Sequence, residues 1–268
     1  MKKELNPNFE IDLLVSSRID NHMRNLSSFN KVIHSGFHDL CVPLCTIKPY
    51  VDFLKEIDDK EKEQIILERM KTAVEKMEMI MKRFVEYADL LWETNPQIDL
   101  VNIYQEIDKV KKGISLCFPE LNYSINTSFD SGLEILFPEK YIHKVFAILI
   151  ENTIRYRETD KDPCIDISVC KVDDGLTIRF KDNGTGFPEY FDKTKAFTPF
   201  EKSAHPNRGI GLGLVYLKQI VEKNGGTVDF NSSNEGTIFR IKLQSYKLTH
   251  NQLEGTYVAQ HQRNIKIN

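Results

Sequence analysis

Arg208-Gly209-Ile210-Gly211-Leu212-Gly213-Leu214 is the stretch whose reading decides the fold of the second half of the chain. It runs directly into a helical pattern over residues 212–223. Its glycines free backbone N–H groups beside a helix N-terminus, which suits them to cradling phosphate. Alternating glycines also occur in dinucleotide-binding folds, where they follow the first strand of a βαβ unit. Here they come late in the domain, and that reading fails. Outward from the glycines, Asn224-Gly225-Gly226 ends the helix, and residues 227–231 and 237–243 read as closing strands. Upstream, residues 165–171 and 176–181 read as strands joined by Val172-Asp173-Asp174-Gly175. Residues 100–111 form a short amphipathic helical pattern, 122–128 a strand and 139–156 a strongly apolar helix. Two apolar helices against a mostly antiparallel sheet predict an α/β two-layer sandwich.

Two further features in this half carry chemistry. Asp182-Asn183-Gly184-Thr185-Gly186 follows a predicted strand. Its glycines let backbone approach a flat ligand, and its carboxylate can accept from an exocyclic amine such as that of adenine; a plain turn fits the same residues. In Ile150-Glu151-Asn152-Thr153-Ile154-Arg155-Tyr156, Asn152 offers an amide oxygen to a hydrated Mg2+. Arg155 follows three residues on along the same face for phosphate, and Tyr156 offers a ring beside a base. Each is equally readable as a polar residue on a helix surface.

The N-terminal half is different in kind. Ile33, Phe37, Leu40, Leu44, Ile47, Val51 and Leu54 recur at alternating spacings of four and three. Ile66, Met70, Ala73, Met77, Ile80, Phe84, Tyr87 and Leu91 do the same. Such spacing is the seam of a supercoiled bundle. Two helices each bury only one stripe, so the pattern predicts an all-α antiparallel hairpin completed as a dimeric four-helix bundle. Asp58 and Glu61 read as a capping box for the second helix. The register extends back through Leu26, Met23 and Ile19, placing the start of the first helix well before residue 26. The composition shift at Glu93-Thr94-Asn95-Pro96 marks the boundary between halves.

Within the first helix lies Phe37-His38-Asp39-Leu40-Cys41-Val42-Pro43-Leu44. His38 sits one position past the seam, at the edge of the bundle and open to solvent. Asp39 can hold the ring's Nδ1–H, leaving Nε2 as the nucleophile. Pro43 removes the helical donor to the Asp39 carbonyl, which predicts a bend there. Pro49 predicts another.

Composition bounds the rest. The chain has 268 residues, 41% hydrophobic and 28% charged, with a net charge of −3. A nearly balanced charge argues against a nucleic-acid-tracking surface. No apolar run approaches the roughly 20 residues of a membrane helix, and no hydrophobic run follows the basic start. Five cysteines, at 41, 45, 117, 164 and 170, form no C-x-x-C pair. Reduced thiols in a cytoplasmic protein, with neither disulfides nor a zinc site, are the expectation.

Taken in order, the His-Asp box, the heptad helices, the Asn152 helix, D-x-G-x-G, the Phe-rich Ala196-Phe197-Thr198-Pro199-Phe200-Glu201-Lys202 and G-x-G-x-G resemble the sensor histidine kinases of two-component signalling. The resemblance spans residues 27–243. It implies an N-terminal helical extension (1–26), a dimerisation and histidine phosphotransfer hairpin (27–95), a Bergerat-type ATP-binding domain (96–245) and a polar tail (246–268). It further implies that His38 accepts the γ-phosphoryl group of ATP, with Asp39 orienting its ring, and passes it to an aspartate on a response-regulator receiver domain. Asn152 falls at the Mg2+ ligand, and Arg155 and Tyr156 at positions that meet the nucleotide. Asp182, with Gly184 and Gly186, falls at the adenine reader, and Gly209, Gly211 and Gly213 at the phosphate side. Lys202 and Arg208 match as lid cations for the γ-phosphate. Too few residues precede the hairpin for an independent sensing domain, so input is expected either from a separate sensor protein or from the N-terminal helix itself.

Three positions depart from the pattern. Ile148 stands where the family usually has Asn, and Cys41 where it often has Arg. Val42 replaces the Thr or Asn that positions water for regulator dephosphorylation, so weak phosphatase activity is expected. The alternative to a kinase is a non-catalytic histidine phosphotransfer or adaptor protein with a degenerate ATP-binding domain, a reading favoured by Ile148 and opposed by Asn152, Asp182 and the late glycines. A chaperone- or repair-type ATPase would have no use for a His-Asp heptad helix, and a serine kinase would yield an acid-stable product.

Overall fold

The fold is that of a computed structural model, which describes residues 7–199 and 211–246. Among the predicted site residues, Lys202, Arg208 and Gly209 lie outside the described residues, as does the tail beyond Tyr246. The chain divides into two compact units. One comprises Met1–Asn95 with Tyr190–Gln219, the other Pro96–Glu189 with Ile220–Asn268.

In the first unit, α1 (Pro7–Leu54) and α2 (Lys60–Trp92) pack against each other. They run antiparallel: Arg69 donates to the Tyr50 hydroxyl at 3.3 Å, while further along Val32 packs with Tyr87 and Leu91. Leu212 and Val215 join that cluster, flanked by Phe29, Phe84 and Tyr216. The start of α1 at Pro7 agrees with a register traceable before residue 26. The helix runs unbroken through Pro43 and Pro49 rather than ending at either. One turn beyond the disrupted Asp39 carbonyl, Thr46 Oγ1 donates to the Val42 carbonyl at 2.9 Å. The cap of α2 is one residue later than the sequence pattern suggests. Asp59, not Asp58, accepts from the N–H groups of Glu61 and Lys62. Glu61 and Glu63 then place negative charge against the positive end of the helix dipole.

Burial divides the heptad seam into two registers. Ala73, Ile80, Tyr87 and Leu91 of α2 are buried, and Ile33, Leu40, Ile47 and Leu54 of α1 are half-buried. Phe37, Leu44 and Val51, also seven apart, are exposed, as are Leu67, Val74 and Met81 on α2. One stripe of each helix is therefore spent on the other, and a second apolar stripe remains on the surface.

In the second unit, β2 (Ser124–Ser128), β4 (Cys164–Val172), β5 (Gly175–Asp182), β7 (Gly236–Gln244) and β6 (Thr227–Ser233) form one sheet in the order β2-β4-β5-β7-β6. β2 is parallel to β4 and the other pairs are antiparallel. A second, two-stranded sheet pairs β1 (Asp99–Asn102) with β3 (Glu134–Phe137). Residues 100–102, expected to open a helix, are strand instead. Asn102 ends β1 and caps α3 (Ile103–Cys117), its Oδ1 accepting from the Gln105 N–H at 2.9 Å. The pairing with β3 comes from 36 residues away in register (Leu100 with Leu136) and overrides the local periodicity. α4 (Glu139–Arg155) is apolar almost all round, with Ile142, Val145, Phe146, Leu149 and Ile150 buried. These side chains, those of α3 and alternate residues of β4, β5 and β7 make the sandwich core. Lys109 of α3 bridges the buried Glu106 and Glu139 of α4, and the paired carboxylates hold its ammonium above the usual lysine range.

Candidate functional site

Strand register builds the centre of the site in the second unit. β5 pairs with β7 so that Lys181 faces Ile238, which brings Asp182 beside Thr237. Asp182 is 8% exposed. Its Oδ1 accepts from the Gly184 N–H at 2.9 Å and from the Thr237 N–H at 3.2 Å. Burial pushes its pKa above the ordinary carboxylate range, and the two N–H donors oppose that only in part. Both donors use Oδ1, not Oδ2.

The backbone around Asp182 has no room for side chains. A Cβ on Gly184 would sit 2.9 Å from the Tyr156 carbonyl oxygen, and one on Gly186 would sit 1.9 Å from that of Ser233. Gly186 also has φ +64°, a conformation side chains disfavour. Thr185 ties the loop to the end of α4, donating to the Tyr156 carbonyl from its N–H at 3.0 Å and from its hydroxyl at 3.2 Å. Asn183 anchors the other side, accepting from the Cys164 N–H at 2.8 Å and donating to the Asp162 carbonyl at 3.0 Å.

These bonds bring together the C-terminal turn of α4 and the D-x-G-x-G loop, joining two of the sequence motifs. Asn152, Arg155 and Tyr156 occupy that turn and are half-buried. Ile148, one turn earlier, is 2% exposed among the core residues of α4. Sequence reasoning missed three contributors: Thr237, Ser232 and Gly236. Ser232 Oγ accepts from the Phe187 N–H at 2.8 Å, and a Cβ on Gly236 would lie 2.0 Å from the Asp182 carbonyl oxygen. Gly236, just ahead of an alternating strand, was the one available signal.

In the first unit, Gly211 adopts φ +78° immediately before α5 (Gly213–Lys223), with Gly213 opening the helix. Ahead of them, Asp192 caps a short 3-10 turn (Lys193–Lys195) that precedes the Phe-rich segment. Ala196 is buried, and the Lys218 ammonium lies 5.4 Å from the centre of the Phe197 ring.

His38 stands on α1 with its side chain 82% exposed. Its Nδ1 lies 3.7 Å from Asp39 Oδ1, so the carboxylate faces the nitrogen that sequence reasoning assigned to it. Nε2 points away from that contact. Below His38 an open groove of about 810 Å3 follows α1, lined in part by Leu44, Ile47, Pro49 and Phe53.

A half-buried helix end tied to a carboxylate-and-glycine loop, on a two-layer sandwich, is the candidate site of the second unit. Residues 138–247 match the histidine kinase-, DNA gyrase B- and HSP90-like ATPase family. Over most of its length the chain is similar to signal transduction histidine-protein kinases. It is 27% identical over 256 residues to the signal transduction histidine-protein kinase ArlS of Staphylococcus aureus (strain USA300), an alignment covering 90% of this chain and 55% of ArlS. The chain thus spans about half the length of the curated relatives it matches. Its fold is similar to that of the Acinetobacter baumannii histidine kinase AdeS, with TM-score 0.60 and 18% identity over 78% of this chain and 98% of that one. It is also similar to histidine kinase ThkA, solved in complex with the response regulator protein TrrA, with TM-score 0.68 and 19% identity over 87% of this chain and 66% of that one.

Proposed function

We propose that this chain is an ATP-dependent protein-histidine kinase that phosphorylates its own His38 and passes the phosphoryl group to an aspartate of a response-regulator receiver domain. The observation that carries the reading is the exposed imidazole of His38, set against Asp39, in a chain whose second unit contains the Asp182 loop of an ATPase domain.

Adenine would be read by Asp182, whose Oδ2 accepts from the exocyclic amine while Gly184 and Gly186 admit the flat base. Asn152 would hold Mg2+ through its amide oxygen, a hard donor of the kind that ion takes, and the ion's charge would offset that of the phosphates. Arg155, Gly209, Gly211 and Gly213 are the proposed phosphate contacts, with Lys202 and Arg208 as lid cations. Tyr156 packs beside the base.

The Nε2 lone pair of His38 attacks the γ-phosphorus in line. The bond to the bridging oxygen breaks, ADP leaves with that electron pair, and a P–N bond forms. Asp39 holds the ring by its Nδ1–H and stabilises the positive charge that develops there. The receiver aspartate then takes the phosphoryl group and regenerates the imidazole.

The exposed stripes Phe37, Leu44, Val51 and Leu67, Val74, Met81 support a homodimer, in which two hairpins close a four-helix bundle and hide both stripes. The groove below His38 supports regulator docking on α1, in keeping with the partner in the ThkA complex. No helix among the described residues is long and apolar enough to cross a membrane, which fits a kinase working in the cytoplasm. Ile148 favours the adaptor reading only weakly: in the core of α4 an amide would need a buried partner, and an isoleucine needs none.

Incubation with γ-labelled ATP tests the proposal. Wild type should gain acid-labile, alkali-stable label, whereas His38→Gln and Asn152→Ala should gain none. Label retained by His38→Gln would overturn the acceptor assignment.

A further inference from the structure

The five-stranded sheet has two faces of opposite character. Ile165, Ile178, Phe180 and Ile241 point to the face buried in the sandwich core. Alternate residues point the other way, to a face whose side chains are exposed or half-buried. Strand register gathers four cations there. Arg179 of β5 stands directly opposite Arg240 of β7, Lys181 opposite Ile238, and Lys242 opposite Thr177. Same-face residues repeat at about 7 Å along a strand, and neighbouring strands lie about 4.8 Å apart. The four therefore form one diagonal stripe, each within a Debye length of about 10 Å of the next.

The charge of this stripe is largely unspent. Asp229 pairs with Arg240 at 3.3 Å. Asp166, opposite Lys181, accepts instead from Asn126 at 3.0 Å. Among the described residues, Arg179, Lys181 and Lys242 form no ion pair. Like charges directly opposite each other destabilise a strand pair, and Arg179 facing Arg240 is such a pair. It occurs in a chain of net charge −3. The stripe is a local excess of positive charge that a bound anionic surface relieves.

We propose that this sheet face docks on an anionic lipid surface, with its cations seated among the phosphate headgroups. The chemistry of the face selects that occupant. On β5 and β7 it carries no aromatic side chain, and Ile238 is its one apolar side chain. A protein partner binds through buried aromatic and aliphatic anchors, and single-stranded nucleic acid through stacked rings. Neither is offered here. Duplex grooves take a helix or a two-stranded ribbon, whereas this is the broad face of a sheet. Mobile headgroups need neither anchor nor groove, because each moves to meet a cation. The rest of the chain is net acidic and is repelled by such a surface, which turns the basic face towards it. Asp182 lies on the core side of β5, so the docking face and that carboxylate do not overlap.

Flotation of the full chain with lipid vesicles tests the proposal. At low salt, wild type should float with vesicles of equal parts phosphatidylglycerol and phosphatidylcholine and not with phosphatidylcholine alone. Added salt should release it. Each Lys or Arg near an anionic leaflet strengthens partition by about fivefold, so Arg179→Gln/Lys181→Gln/Lys242→Gln should lower it by roughly 100-fold. Arg179→Lys/Lys181→Arg/Lys242→Arg keeps the charge and should float as wild type does. Lys62→Gln/Lys71→Gln/Lys76→Gln removes as much charge from exposed positions of α2 and should also float normally. A cooperative thermal transition shared with wild type checks that both glutamine variants are folded. Should the first be unfolded, Arg179→Gln and Lys242→Gln alone, each expected to lose about fivefold, decide in its place. Failure of wild type to float, equal flotation on neutral vesicles, undiminished flotation without the three cations, or an equal loss in the α2 variant would overturn the site. Stronger competition for the face by polyglutamate or duplex DNA than by anionic vesicles would overturn lipid as its occupant.

Discussion

Asp182 is held where a carboxylate is costly, and that cost separates ligand reading from stability. Its pKa is raised, so the ionised form weakens the fold: the fully stable form lies below the ordinary aspartate range, and stability is lost as pH rises through the raised value. Asp182→Asn keeps an oxygen for the Gly184 and Thr237 N–H groups and removes the buried charge. Thermal unfolding at neutral pH should therefore show equal or higher stability, with the difference vanishing in acid. Calorimetric titration with ATP should show affinity reduced by about tenfold or more, since a hydrogen bond to a charged group is worth about 1.5–3 kcal/mol. Lower stability with intact ATP binding would reverse both assignments. Val42 makes a prediction by its chemistry alone, having no polar atom to orient water. Purified protein without nucleotide should barely accelerate dephosphorylation of its regulator, and Val42→Thr should accelerate it; a brisk rate in wild type would refute this. At this scale the sequence shows Asp182, Gly184 and Gly186 plainly, because carboxylate and glycines sit together in one short motif. It hides Thr237 and Ser232, which reach the loop only through a strand register joining residues 55 apart.

At the scale of elements, the heptad pattern revealed both long helices and concealed how their stripes are shared. Ile80 and Phe37 look alike in sequence, yet one is buried by its partner helix and the other is exposed. Periodicity reports a face, and only packing reports what covers it. If a second chain covers the outer stripe, charge placed there should split the dimer. Val51→Glu/Val74→Glu should sediment as a monomer while wild type sediments as a dimer, and ATP binding should be unchanged. A monomeric wild type, or a dimeric variant, would contradict the bundle. The short β1–β3 pair was illegible for a related reason. Four-residue strands carry too little periodicity to compete with the amphipathic helix that follows Asn102.

For the whole molecule, the order of motifs along the chain said more than any motif alone. His-Asp, Asn, D-x-G-x-G and G-x-G-x-G are each common, and each has a plain structural reading. Their succession implied a phosphoryl donor and acceptor on one chain, and the structure adds an open imidazole on α1 and a buried carboxylate beside the D-x-G-x-G glycines. What composition could not supply is long-range geometry, since the Asp182 loop depends on contacts from β7, β6 and α4 together. The central claim is that a single ring nitrogen takes the phosphoryl group. Phosphorus NMR of the full chain after reaction with Mg-ATP, with the modified residue located by mass spectrometry under alkaline conditions, measures that directly. The account requires one phosphoramidate on Nε2 of His38; phosphorus on Nδ1, on another residue, or on none would contradict it.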